Sequence, residues 1–460
     1  MIKIKKNSAK TLIWFLIFSL VVPFFSGCGK DDAIQYSVSL EIWGVFDDSV
    51  DYSDIISEYR KINPFIDNIT YKKFTIENYK KDLLNALASG TGPDIFMINN
   101  SWMPSFEDKV YPAPEYLINK QSFLNNFVDV VADDFIGREG EIYGAPLSVD
   151  SLALYYNKDL FNAAAITNPP ATWEDMAEDS KKITKIDDFG EIYRSGVALG
   201  TAYNINRSAD IVNLLLFQHG SEMPNRENSE FNLDINIGRE VLEFYSQFAR
   251  SSSPLYSWNN AMHYSIDSFY EGDLAMMLNY SWHIDTLKNK NAKLNFAIAP
   301  VPQLSLDNPI NNANYWTFVV NEDKEVARRE GHSPVSNEER AHEAWQFLKY
   351  LTFKNGNKFS VKNIKSGNNK EFAMAIDPAE MYMEETNRPA ARRDLVESQK
   401  TDPILGAFAY GNLIAKSWYR KDADAIESIW AEIIDSVNRG DITASEGFEL
   451  VRSRINEINR

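Results

Sequence analysis

A single cysteine in 460 residues leaves no partner for an internal disulfide and no thiolate set for a zinc site. Cations are also in deficit. Against 65 Asp and Glu stand 47 Lys and Arg, a formal charge of −18. Phosphate binding needs clustered Lys and Arg, so a chain this acidic is not built around nucleic acid. The five histidines show no metal-ligating spacing: His332 and His342 are ten residues apart, His263 and His283 twenty, and His219 lies apart from both. They read as polar surface or cleft groups, and neither a metal nor a cofactor is expected. There is no GxSxG elbow, no HExxH pair and no glycine-rich phosphate loop. The abundant carboxylates are therefore not framed by an enzyme signature, although composition alone does not exclude a glycosidase pair. No apolar run reaches the roughly 20 residues of a membrane-spanning helix. Internal repeats and low-complexity tracts are absent.

What is present is an ordinary globular composition, 44% apolar and 24% charged. The length suggests two or three domains and permits a large core. Aromatic residues are the unusual quantity, at 13% with ten tryptophans.

The chain opens with Lys3, Lys5, Lys6 and Lys10, followed by an apolar run from Thr11 to Phe25, and no acid precedes Asp31. This is the basic and apolar pattern of a secretory signal. Its end, Phe25-Ser26-Gly27-Cys28, resembles a bacterial lipobox, with Phe25 where leucine is usual. The resemblance implies cleavage after residue 27 and lipid on Cys28. Residues 28–36 then form a short tether. Removing residues 1–27 takes away four lysines and no acid, so the mature chain is more acidic still.

Beyond the tether, strand and helix patterns alternate. Val38 to Phe46 reads as a strand, Tyr52 to Ile62 as a helix stopped by Asn63-Pro64, and Ile69 to Phe74 as a strand. Tyr79 to Ala88 reads as a helix and Asp94 to Ile98 as a short buried strand. This order predicts a parallel sheet covered by helices. Further strands are expected at Ser151 to Asn157, after Gly272, at Phe296 to Pro302 and at Tyr315 to Val320. Thr172, with Asp175 three residues later, should cap a helix. Helices are expected at Val212 to His219, Ile237 to Ser251 and Glu338 to Thr352, and the remainder to Arg460 should be mostly helical.

Several segments carry a family resemblance. Gly90-Thr91-Gly92-Pro93-Asp94-Ile95 is similar to a segment of ABC-transporter extracellular solute-binding proteins, the group that includes maltose-binding protein. Tyr143-Gly144-Ala145-Pro146-Leu147, with Leu154-Tyr155-Tyr156-Asn157-Lys158-Asp159-Leu160-Phe161, resembles that family's most recognisable stretch. Pro169-Pro170-Ala171-Thr172-Trp173-Glu174-Asp175 follows at the family spacing. Gly272-Asp273-Leu274-Ala275-Met276-Met277, Ala299-Pro300-Val301-Pro302 and Ala344-Trp345-Gln346-Phe347-Leu348 complete the series in family order. After Phe353 the resemblance thins.

This likeness implies an α/β, two-lobed periplasmic-binding-protein-like fold of type II. Each lobe is a sheet flanked by helices, with a ligand cleft between the lobes. Lobe one would comprise residues 37–147 plus 297–353, and lobe two residues 148–296 plus 354–460. It also implies a receptor of an ABC importer that binds solute without altering it and docks on membrane permease subunits. A monomer is expected.

A sugar offers flat C–H faces and a rim of hydroxyls, and so calls for aromatic planes with polar neighbours. Trp173, Trp345 and Trp430 sit on helical faces and read as core. Trp43, Trp102, Trp258, Trp282, Trp316 and Trp418 fall at strand ends or in loops and are candidate ligand contacts. Trp282 matches a family tryptophan that stacks on sugar, and Tyr280 precedes it. Tyr315 adjoins Trp316. Asn100, beside Asn99 and Ser101, follows a strand end, where turn chemistry is the competing reading. Asp150 lies at the lobe crossing. Glu41, Asp47 and Asp48 are weaker candidates, while Tyr155, Tyr156 and Asn157 read as shaping the crossing. Alternatives within the same fold are a receptor for a polyamine or phosphorylated compound, or a sensor lipoprotein without a transporter.

Overall fold

The computed structural model describes residues 36–324 and 334–460. The expected leader, Cys28 and His332 lie outside the described residues.

The first sheet grows from three parallel strands, Val38–Gly44 (β1), Ile66–Lys73 (β2) and Ile95–Asn99 (β3). Helices Ser53–Ile62 and Ile76–Ala88 connect them. Every residue of β3 is buried, as the continuous apolar run Ile95-Phe96-Met97-Ile98 requires of a central strand. A fourth strand, Trp316–Val320 (β10), returns from far along the chain and pairs antiparallel with β3, giving the order β10-β3-β1-β2.

The second sheet contains Ala153–Asn157 (β4), Lys185–Ile186 (β5), Ile192–Val197 (β6), Leu274–Asn279 (β7) and Phe296–Pro300 (β8). Its order is β5-β6-β7-β4-β8, with β4 antiparallel to both neighbours and β6 parallel to β7. Thr172 and Asp175 form the expected capping box. Gly272, at φ +93°, ends helix Ser265–Glu271 and turns the chain into β7. Trp173, Trp345 and Trp430 are buried, as their helical positions imply.

Two hydrophobic cores form, one around each sheet. They divide the chain differently from the expected boundaries: Tyr36, expected in the tether, and Val149, expected in lobe two, both pack into the first core, and two longer segments also change sides. Residues after Phe353 do not pass straight into lobe two: Phe359, Val361, Tyr382, Met383, Leu395 and Val396 pack into the first core. Phe359 packs on Tyr350 and Tyr59, and Tyr382 stacks on Tyr52, so aromatic contacts hold this segment on lobe one. Conversely, Ala299 and Val301 belong to the second core, because β8 pairs with β4. The C-terminal part is also less helical than expected. Lys358–Lys362 (β11) and Asn369–Ala373 (β12) form a hairpin whose turn contains Gly367 at φ +72°.

The chain crosses between the cores near residues 148–152, 301–315 and 400–417, and the crossings are laced together. Asn311–Asn312 (β9) pairs parallel with Ala415–Lys416 (β13). Leu152 N–H donates to Asn312 O at 3.2 Å and Asn314 N–H to Asp150 O at 3.0 Å. The Asn311 and Asn412 amides donate to Leu152 O and Val149 O at 2.8 and 2.6 Å. Gly411 permits this closeness: a Cβ there would lie 2.4 Å from Ser151 Oγ and 2.5 Å from Asn311 Nδ2.

Candidate functional site

A pocket of about 520 Å³ opens where the two lobes meet. Part of its wall comes from strand ends, where side chains leave the sheets, and the rest from the first crossing and the segment around Tyr382 and Arg388. Phe46 and Asp47 follow β1, and Trp282 follows β7. Trp316 begins β10 opposite Asn99, which places it beside the carboxyl end of β3. Lobe one thus supplies Trp316 and lobe two Trp282, both half-buried. Phe46 and Trp102 meet the Trp316 ring edge-on, with centroids 5.4 and 4.9 Å away. Tyr280 stacks under Trp282, and the Arg207 guanidinium lies 5.7 Å from the Trp282 ring centroid.

The polar side of the pocket centres on Asp47 and Asp150. Asp47 Oδ2 accepts from the hydroxyls of Tyr52 and Tyr382, each at 2.8 Å, and its Oδ1 pairs with Arg388 at 3.1 Å. Burial opposes the Arg388 cation, but Tyr382 and Asp47 outweigh it and hold its pKa above the usual range. Among the described residues, Arg388 Nε has no hydrogen-bond partner. Asp150 Oδ2 accepts from Ser281 N–H and Oγ–H, and Oδ1 accepts from Ser151 N–H. Burial pushes its carboxyl up to about 7 despite these bonds.

Of the ten residues expected to touch ligand, Asp150, Trp282, Tyr315 and Trp316 line this pocket. Tyr280 and Trp102 stand behind the two indoles as packing partners. Lys80 lies 4.8 Å from the Trp102 ring centroid and reaches across to Asp424 of lobe two at 2.7 Å. Asn100 and Trp418 line a separate interlobe crevice of about 1810 Å³. There Asn100 and Tyr315 donate to Asp134 Oδ2 at 3.1 and 2.7 Å, and Ser417 donates to Oδ1. Burial raises the Asp134 carboxyl to about 6. Arg226 braces the same crevice, pairing with Glu107 at 2.8 Å and donating to Asp134 O.

Two expected contacts are instead structural. Trp258 is wholly buried in the second core, with its indole N–H on Asn204 at 3.2 Å. Trp43 faces Phe74 inside lobe one, with its N–H on Glu41 at 2.8 Å. A strand tryptophan and a loop tryptophan are equally able to fill a core, and sequence position does not say which face they take. Phe46, Tyr382 and Arg388 were not anticipated. Tyr382 and Arg388 lie beyond Phe353 with no local motif, and only packing onto lobe one brings them to the pocket. Among the described residues, no group of three or more His, Cys, Asp or Glu is arranged to hold a metal ion, and no helix is long and apolar enough to cross a membrane.

Comparison with known proteins agrees with this geometry. A maltotriose-binding protein of Pyrococcus abyssi is 22% identical over 390 residues, covering 84% of this chain and 73% of that protein. An arabinooligosaccharide-binding protein of Halalkalibacterium halodurans is 26% identical over 226 residues, 46% of each chain. Several other relatives are likewise matched over about half their length. The solved cyclic α-maltosyl-1,6-maltose binding protein of Arthrobacter globiformis superimposes with a TM-score of 0.70 at 18% identity, covering 92% of this chain and 99% of that one. The maltose/maltodextrin-binding domain of Bdellovibrio bacteriovorus gives 0.62 at 17% identity, covering 91% and 99%. At these identities the structures establish the two-lobed fold. The model of the bacterial extracellular solute-binding proteins matches residues 55–358, which include the second sheet, the first sheet except β1, and the first two crossings. A two-lobed chain with an interlobe pocket, matched over well over half its length, belongs to the bacterial extracellular solute-binding protein family.

Proposed function

We propose that this protein is the substrate-binding receptor of an ABC importer, that its solute is a carbohydrate, and that the carbohydrate is an oligosaccharide. One observation carries the choice of solute: Trp282 of one lobe and Trp316 of the other line the same pocket, beside carboxylate, hydroxyl and guanidinium groups. Apolar ring faces with polar neighbours suit a sugar's C–H faces and hydroxyl rim. The names of the maltotriose- and arabinooligosaccharide-binding relatives support the same class. The mechanism is capture by hinge closure about the laced crossings, burial of the solute, and delivery to permease subunits in the membrane. No chemistry on the solute is involved. On this reading residues 1–27 are the leader, Cys28 carries lipid, and a short tether from residue 28, ending before Tyr36 enters the first core, joins the two lobes to the extracellular or periplasmic face of the cell membrane.

A thermal-shift screen of the chain from Gly29 onward tests the solute class, with oligosaccharides, polyamines, amino acids and phosphorylated compounds. A ligand at 100 times its dissociation constant stabilises by about 2.7 kcal/mol, a visible shift. A shift with oligosaccharides alone is the expected result. A shift with polyamines or phosphorylated compounds alone discards the sugar while keeping the receptor role.

A further inference from the structure

Asp150 sits in the first crossing, only 4% exposed, and its carboxylate is largely occupied. Oδ1 accepts the Ser151 N–H at 2.9 Å. Oδ2 accepts both the N–H and the hydroxyl of Ser281, at 2.9 and 2.5 Å. A carboxylate offers about four acceptor sites, so these three donors leave little for a solute. Ser281 lies on the loop after β7, immediately before Trp282, and reaches Asp150 from 131 residues along the chain.

Trp282 itself stacks on the Tyr280 ring at 4.5 Å, and the Arg207 guanidinium lies over its ring at 5.7 Å from the centroid. Its other aromatic neighbour, His283, is tilted at 6.0 Å. The backbone from which the indole projects carries local bonds, Tyr280 N–H to Asn279 Oδ1 at 3.0 Å and Ile284 N–H to Ser281 O at 3.0 Å, and two anchors from outside its loop. One is the Tyr155 hydroxyl donating to Tyr280 O at 2.7 Å, and the other is the Asp150 carboxylate on Ser281. The second anchor belongs to the crossing, because Asp150 O also accepts the Asn314 N–H of the second crossing.

We propose that Asp150 is a positioning residue: it holds the Ser281–Trp282 backbone so that the indole faces the pocket, and it ties that orientation to the hinge instead of binding solute itself. Only the use made of the indole rests on the carbohydrate reading; the positioning does not.

The test is acrylamide quenching of tryptophan fluorescence in the purified, ligand-free protein. Subtracting the Trp282→Phe variant isolates the signal of that indole. Asp150→Ala frees the loop, so quenching of the Trp282 component should rise by at least about twofold, as for a group released from a protected local structure. Ser281→Ala, which removes one of the three donors, should move it the same way by less. Asp150→Asn keeps a carbonyl oxygen for Ser281 and should stay near wild type. In the Trp282→Phe background Asp150→Ala should change nothing. An unchanged Trp282 component in folded Asp150→Ala or Ser281→Ala overturns the proposal, as does an equal change in the Trp282→Phe background. If Asp150→Ala does not fold, Ser281→Ala decides.

Maltotriose then serves as the binding probe. Asp150→Ala should weaken it about tenfold in the wild-type background and less than about twofold in Trp282→Ala, because one residue acts through the other. Additive losses mean that Asp150 touches the solute and end the proposal. Absence of any maltotriose binding by the wild type counts against the carbohydrate reading and leaves the quenching result to decide the positioning.

Discussion

The ring of Tyr280 lies 4.5 Å below the indole of Trp282, inclined at 22°, and its hydroxyl donates to buried Asp210 at 2.9 Å. The stack backs an indole that lines the pocket. Trp282→Ala should weaken oligosaccharide binding at least tenfold, about 1.4 kcal/mol, with the fold retained. Tyr280→Phe keeps the ring and should spare affinity. It should lower stability by about 1–3 kcal/mol through the donor taken from Asp210. Calorimetric titration and thermal unfolding separate the two effects, and unchanged affinity in folded Trp282→Ala would remove that residue from the site.

Asp47 is buried with three donors: Tyr52, one turn further along the chain, and Tyr382 and Arg388 from the distant segment after Phe353. Removing the cation leaves a buried carboxylate held by phenols alone. Arg388→Ala should lower stability by about 2 kcal/mol, less than for a fully buried pair because the guanidinium keeps some solvent contact. Asp47→Ala strands all three partners and should cost at least as much. Urea unfolding midpoints at constant slope are the measurement, and a midpoint unmoved in both variants would refute the role.

Three buried carboxyls are raised by burial, Glu343 and Asp150 to about 7 and Asp134 to about 6. For a raised acid the native state holds a proton that the unfolded chain has released, so stability declines as pH rises through that window. For Glu343 the window runs from its ordinary value of 4.5 up to about 7. Glu343 accepts from Tyr36, Asn63 and Gln346, and burial lowers the pKa of the His342 imidazole that lies 3.8 Å from its Oε1. Glu343→Gln removes the titration, so the melting temperature should fall less steeply between pH 5 and 8 than in the wild type. The difference should amount to at most about 3 kcal/mol. Parallel profiles for the two proteins would show that Glu343 does not titrate there.

Gly411 faces Ser151 and Asn311 where the crossings touch. Gly411→Ala should push aside the Asn311 amide that donates to Leu152 O and cost about 1–3 kcal/mol. Because the strain falls on the crossings, small-angle scattering should also show a changed response to added ligand. A variant as stable as the wild type, with the same closure, would mean that the crossings relax freely.

Local pattern carried much of the fold. Apolar, β-favouring runs predict β1, β3, β4, β7 and β10, and Thr172 with Asp175 marks a helix start that the structure keeps. These features depend on residues a few positions apart, and the physics that decides them is equally local. The hairpin β11–β12 was missed because its strands are short and half-exposed, with only Phe359 and Val361 buried in β11.

By itself the sequence determined the alternation of strand and helix, the crossing motif around Asp150, and the presence of aromatic residues at strand ends. Which of those aromatics line the interlobe pocket was decided only by tertiary structure. Trp258 and Trp282 look alike as loop residues, yet one is enclosed by the second core while the other follows a strand that ends at the pocket. Tyr382 and Arg388 join the site because the segment after Phe353 folds back on lobe one, where Tyr52 and Asp47 receive it. Burial and long-range pairing are set by how distant segments pack, and no spacing along the chain encodes them.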